Sequence, residues 1–360
     1  MNSLFPRYNF IPDVDKLVDV LKGKRESKEV LLAELIIDDE ILEEYTIKYL
    51  KKEWVKYDRK NKDARRKYWD NVLECYKTLG YSGFRVSNAL MFNVIMDKAV
   101  TSSNETRNWV NHSGQIKDEE SFDKYPWPTE DDIDLFDYEY VSSILPDNMG
   151  IFACVYGGIF EMLCEYIVGV EELCYMQYDN PELLKRIFDK VGDLLLLAYQ
   201  KVVKIKGVKA LFQGDDMGYT EGLMFSPEFY DEYVLPWHKK LAKIAHDNNI
   251  PYFLHSCGNL RGLKEKLFEI DIDAKHSFED KGWSVIDFYN EHHNKVGVIG
   301  GVDVDKLCRM NREDFKKYCI NILDNCHKKG RYVFGSGNSI ASYVPLENFL
   351  YMIELAMNYE

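Results

Sequence analysis

The chain has 360 residues, 46% of them hydrophobic, which is long for one small domain and enough for a sizeable core. Its formal net charge of −14 argues against a nucleic-acid partner, because a phosphate backbone calls for clustered Lys and Arg. The start, Met1-Asn-Ser-Leu, carries no signal-peptide pattern, the longest apolar runs such as Leu194–Ala198 are too short for a bilayer, and the eight cysteines are scattered, so a cytoplasmic chain with reduced thiols and no membrane partner is expected.

Short apolar runs alternate with longer amphipathic stretches, the signature of parallel β/α architecture. The expected strands are Val30–Ile37, Phe84–Ser87, Gly150–Val155, Ala210–Gln213, Tyr252–His255, Ala274–Ser277, Val296–Ile299 and Tyr332–Phe334. Eight is the number a closed barrel needs. The fold class expected is α/β: a (β/α)8 TIM barrel over residues 1–360 as a single domain, with an N-terminal extension and an insertion after strand 2. Residues from about Val100 to Pro146 break the alternation and read as that insertion, part of a lid or an oligomer surface. Helix starts are better marked. Asn180-Pro181 and Ser226-Pro227 pair a capping side chain with proline at the first helical position. The last helix opens near Val344-Pro345 and carries Leu350, Met352, Ile353 and Leu355 on one face.

In such a barrel, chemistry sits at the C-terminal ends of the strands. The fifth strand ends in His255-Ser-Cys257-Gly258. Residues two apart on a strand point the same way, so an imidazole and a thiol leave that end together. Zinc takes both donor types, and a catalytic site needs a third donor and an open position. Glu279, twenty-two residues after Cys257, lies far enough on for a helix and the next strand. The competing reading is a buried thiol beside a core histidine. Other strand ends offer Glu161, Asp215, Asp216, Tyr219, Asp303 and Asn338. Asp216 and Asp303 are the candidate catalytic acids. Glu161, Asp215, Tyr219 and Asn338 are the candidate substrate contacts. Of the adjacent pair Asp215 and Asp216, one is expected to face the barrel and the other to cap a helix. His276 reads as structural.

Several motifs together resemble the uroporphyrinogen decarboxylase superfamily, in its methyltransferase-like branch. They are Gly214-Asp-Asp-Met-Gly218, Gly222-Leu-Met-Phe-Ser-Pro227, Pro236, His255-Ser-Cys-Gly258, Gly300-Gly-Val-Asp303, Gly335-Ser-Gly-Asn338 and Pro345-Leu-Glu-Asn348. The resemblance covers the chain from about Gly150 onward. It implies a metal-dependent enzyme that holds Zn2+ and transfers methyl groups to or from a corrinoid supplied by a partner protein. The methyltransferase branch carries His-x-Cys followed by a late cysteine. His255 and Cys257 match, and Asn338 stands where the late cysteine falls. Cobalamin-independent methionine synthases, which share the barrel, resemble this chain in the spacing to Glu279. The resemblance therefore implies a His255/Cys257/Glu279 zinc site open to a thiol or methoxy substrate, with Asn338, Asp216 or Asp303 lining it. True decarboxylases of the superfamily carry an N-terminal arginine segment that this chain lacks. A metal-free decarboxylase and a non-catalytic metabolite-binding barrel are the alternatives. Related barrels are often dimers, which leaves a homodimer open.

Overall fold

The computed structural model describes residues 4–94, 96–100, 106–110 and 114–359. Seven of the expected apolar runs form strands: β1 Gly83–Ser87, β2 Gly150–Cys154, β3 Val208–Gly214, β4 Tyr252–His255, β5 Ala274–His276, β6 Gly297–Ile299 and β7 Tyr332–Val333. They pair in parallel, each with its successor, in one curled sheet. Period-two alternation assigns their faces. Phe152, Phe212, Phe253, Ala274, Ile299 and Val333 share one core cluster inside the curl, whereas Phe84, Leu211, Leu254 and Val298 join the core between sheet and helices.

The expected first strand is less regular. Val30–Ile37 makes isolated parallel bridges to the chain beyond β7, Leu32 with Phe334 and Ile37 with Ile340, and among the described residues no ladder joins it to β1. It still behaves as a barrel stave. Ala33 and Leu35 point into the inner core, and Leu32 and Ile37 point out. The stave is fastened by Glu34, which is 2% exposed and accepts from Ser336 N at 3.0 and 3.1 Å and from the Ser336 hydroxyl. The helix Val14–Leu21 closes the opposite end of the barrel. Its Val14, Leu17 and Leu21 enter the inner core, and a Cβ on Gly150, at the start of β2, would lie 2.6 Å from Val14.

The stretch expected as an insertion over about 100–146 divides in two. Its later part, Phe136–Ile144, is the crossover helix between β1 and β2 rather than an excursion. The fully buried Tyr138 donates its hydroxyl to Val86 O at 2.6 Å and receives Cys154 N–H at 3.2 Å, so it bridges both strands. Buried Arg65 pairs with Asp137 at 2.8 Å and Asp134 at 2.7 Å, tying the crossover to the helix Lys62–Leu79. Before it come the antiparallel strands Met96–Val100 and Thr106–Val110 and the helix Glu119–Lys124. Residues 101–105 and 111–113 of the expected insertion lie outside the described residues. The sequence hid the crossover because Phe136-Asp-Tyr-Glu-Tyr lacks a capping residue and follows a run of acids.

The helix starts at Asn180 and Ser226 form as expected. Each side chain accepts the backbone N–H three residues on, Leu183 at 3.2 Å and Phe229 at 3.3 Å. The second helix is long but interrupted, with a π turn over Tyr230–Val234 before Leu235–Asp247.

Burial pushes the Glu34 carboxyl up to about 8, against the opposing bonds from Ser336 and Tyr81. The folded chain therefore keeps a proton that the unfolded chain releases near 4.5. Stability tied to this group is complete below that pH and is lost as pH rises toward 8. Urea titrations should show wild type losing roughly 2–4 kcal/mol more than Glu34→Gln across that window. Parallel pH profiles for the two proteins would contradict the assignment.

Candidate functional site

The upper layer of the barrel interior carries the polar residues. Register sets Gly214 beside His255, and His255 beside His276. All three point inward, as do Arg85 and Cys154 on the first two strands, by the alternation that puts Phe152 and Phe253 in the layer below. Those phenylalanines form an edge-to-face floor with Phe212, centroids 5.9–6.5 Å apart, and Phe212 also meets His276 edge-on at 5.9 Å. The floor leaves the layer above dry on one side.

Three donors converge on this floor. His255 Nε2 lies 3.4 Å from Cys257 Sγ and 3.4 Å from Asp216 Oδ1. The three donor atoms all fall within 4.8 Å of one another. Tetrahedral zinc holds N, O and S donors about 3.3–3.6 Å apart, so the set fits that ion. Loop chemistry makes the approach possible. Gly258, at φ +81°, sits so close to the Gly218–Tyr219 backbone that a Cβ would lie 2.3 Å from Gly218 C. Only glycine allows the loop after β4 to rest on the loop after β3. That contact lets Cys257 N–H donate to Asp216 Oδ1 at 2.8 Å. Asn338, standing where the resemblance implies a cysteine, donates Nδ2–H to Cys257 Sγ at 3.1 Å.

Charge is arranged unevenly. Burial raises the Asp216 carboxyl, but the hydrogen bond and charge of His255 and the Cys257 N–H outweigh it and hold it down at about 2. Burial, then the Asp216 and Glu279 carboxylates, push the Cys257 thiol up. A bound cation reverses that balance and favours the thiolate. Burial, then Asp216 and Asp215, raise Glu161 to about 8. Burial also brings the enclosed Lys275 down to about 7; its ammonium donates to Ser277 O at 2.6 Å and lies over the Phe278 ring.

The other expected site residues fall in different places. Asp215 does not reach the mouth. Fully buried, it accepts from Glu161 N at 2.8 Å, Phe160 N at 3.2 Å and His238 Nε2 at 2.8 Å. It is a structural anchor, and its neighbour Asp216 takes the open side. Glu279, expected as third donor, is outside the three-donor set. Phe278 N–H donates to Gly337 O at 2.9 Å, and Glu279 beyond it lines an adjoining cavity of about 460 Å³ with Asn338, Asp280, Asp303 and Lys306. Asp303 caps the helix Val304–Arg309 through Lys306 N at 3.2 Å and accepts from Asp280 N at 3.3 Å, so its carboxylate is already engaged. Tyr219 is half-exposed at the rim on a small hairpin, Gly218–Tyr219 with Gly222–Leu223. Reading the sequence missed Arg85 and underrated His276. The signal for both was period-two alternation on strands whose register was unknown.

The uroporphyrinogen decarboxylase (URO-D) family profile matches residues 144–359, and the chain belongs to that family. Among curated proteins it is similar to a methylated-thiol–coenzyme M methyltransferase of Methanosarcina mazei, 28% identical over 51% of this chain and 47% of that one. It is also similar to a methylcobamide:CoM methyltransferase of Methanosarcina acetivorans, 26% identical over 51% of each. Uroporphyrinogen decarboxylases align at 24–25% identity. The matches span about half the length of these curated relatives. A solved methyltransferase from Methanosarcina mazei superposes with a TM-score of 0.68 over 95% of this chain and 97% of its own, at 15% identity, which speaks for the fold.

The two adjacent acids should separate by experiment. Asp215→Ala strands two backbone N–H groups and His238, and should cost about 3–5 kcal/mol in urea unfolding. Asp216→Ala, on the partly exposed open side and bound by one backbone N–H, should cost less, about 1–2 kcal/mol. Equal losses would contradict the division of roles.

Proposed function

We propose that the chain is a zinc-dependent methyltransferase, moving a methyl group between a small thiol or methoxy substrate and a corrinoid carried by a separate protein. The observation that carries this is the Asp216, His255 and Cys257 donor set at the barrel mouth, with an acid-lined cavity beside it. The names of the methyltransferase relatives support the corrinoid partner. Among the described residues no helix is long and apolar enough to cross a membrane.

His255, Cys257 and Asp216 would hold the metal, and the fourth position would face the substrate. Zinc bound there supplies a Lewis acid that stabilises a substrate thiolate or polarises a methoxy oxygen. The chain's own residues do the rest. Asn338 holds Cys257 Sγ in place from the cavity side. Glu161, held up to about 8, keeps a proton on its carboxyl at neutral pH and is positioned near Asp216 to give it to a leaving heteroatom. The phenylalanine floor excludes water from below. Glu279 and Asn338 line the space for the substrate body.

The family's decarboxylase members make a metal-free decarboxylase the second reading. Metal analysis of the purified chain separates the two. Near-stoichiometric zinc is expected in wild type, with loss in His255→Ala and Cys257→Ala. Asp216→Ala should weaken binding at least tenfold, while Glu279→Gln keeps the metal. A metal-free wild type that still turns over a poly-carboxylate substrate would replace the methyltransferase reading. Zinc lost in Glu279→Gln but kept in Asp216→Ala would reassign the third donor. Demethylation of free methylcobalamin by thiols, followed by its absorption spectrum, tests the transfer itself.

A further inference from the structure

We infer that His276 is a positioning residue for the donor set: it takes the Nδ1–H of His255, and so makes Nε2 the His255 nitrogen that serves Cys257 and Asp216. The purpose of this device rests on the zinc reading above; its geometry stands without it.

His255 Nδ1 and His276 Nδ1 are 2.7 Å apart. At that distance one of the two must donate and the other accept. The other nitrogen of His276 breaks the tie. His276 Nε2 lies 3.1 Å from the Ser336 carbonyl oxygen, which can only accept. His276 therefore carries hydrogen at Nε2. Its ring is fully buried, set edge-on against Phe212, and neither nitrogen meets a carboxylate. A second proton there would be an unpaired buried charge. The ring is neutral, and its Nδ1 is bare.

The remaining step is forced. His255 must donate from Nδ1, which leaves Nε2 as the nitrogen turned to the donor set. That nitrogen lies 3.4 Å from both Cys257 Sγ and Asp216 Oδ1. The reversed arrangement would set a bare His276 Nε2 against the Ser336 carbonyl and make His255 Nδ1 the acceptor, so that Nε2 could not be freed for a metal without leaving the ring anionic.

Two further features hold the device. Ser336 is held on both sides, its N–H and hydroxyl by buried Glu34 and its carbonyl by Gly301 N–H at 3.2 Å. A Cβ on Gly300 would lie 2.9 Å from His276 Nε2, so glycine there leaves room for the ring. The chain of contacts runs from Glu34 through Ser336 and His276 to His255, linking four staves of the barrel.

The test uses the full chain labelled with 15N-histidine and stripped of metal. Two-bond 1H–15N correlations at neutral pH should show His276 protonated at Nε2 and His255 at Nδ1. The opposite pattern, or a doubly protonated His276, overturns the inference. Zinc affinity, measured by competition with a chromophoric chelator, gives a second readout. His276→Leu should weaken binding about 10–100-fold. Its near-isostere His276→Asn, whose Oδ1 can accept from His255, should stay within about threefold of wild type. Equal affinities for Leu and wild type, or equal losses for Leu and Asn in folded protein, also overturn it. A wild type that binds no zinc defeats the metal reading alone, since the nitrogen assignments are read without it.

Discussion

The site depends on one buried carboxylate that takes no part in it. Asp215 accepts two backbone N–H groups from the start of the turn at Phe160 and a third hydrogen bond from His238. His238 in turn meets the Tyr252 hydroxyl at 2.7 Å. A fully desolvated anion held by three donors cannot shift without exposing all of them. The loops after β2 and β3 and the helix Leu235–Asp247 are therefore locked together. Successive side chains on extended backbone diverge, so fixing Asp215 toward the helix layer sends Asp216 to the open side. The same lock brings Glu161 close enough for Asp216 and Asp215 to help raise its carboxyl.

Above that anchor the barrel separates two dielectric environments. The floor of Phe152, Phe212 and Phe253 keeps His276 and the inner edge of His255 away from water. The cavity side carries carboxylates and stays open. A thiol at such a border is kept protonated by burial and nearby carboxylates until a cation arrives, and then becomes a strong donor. Asn338 suits this arrangement. An amide N–H pointing at Cys257 Sγ favours the thiolate without adding a further anionic ligand, so three protein donors and one open position remain.

A second consequence concerns how the barrel is closed. Val30–Ile37 contributes inner and outer residues but only isolated bridges, and Glu34 adds to the backbone hydrogen bonds that Phe334 and Ile340 make with it. The Glu34 carboxyl thus joins closure of the fold to orientation of the Ser336 carbonyl, and through it to the histidine pair. A second cavity of about 460 Å³ opens on the other flank of this stave, toward β1, between Asp38, Asp39 and Tyr68 on one side and Arg85 and Ser87 on the other. Ladder pairing is replaced there by side-chain contacts.

Much of the architecture was readable in the chain. Apolar runs of strand length, Asn-Pro and Ser-Pro helix starts, and polar strand ends each reflect a local rule. The pairing of His255 with Cys257 needed only the two-residue repeat of an extended backbone. What the sequence could not settle was partnership between distant segments. Glu279 has suitable spacing, yet Asp216 reaches the cysteine, because Gly258 brings two loops into contact. Asp215 and Asp216 were indistinguishable until burial separated them. His276 looked like a core histidine and lies within hydrogen-bonding distance of His255 only because the strand register sets the two rings side by side. Local preference acts over a few residues and is written into their order; register, loop docking and desolvation arise between segments far apart in the chain, and so were decided only when the barrel closed.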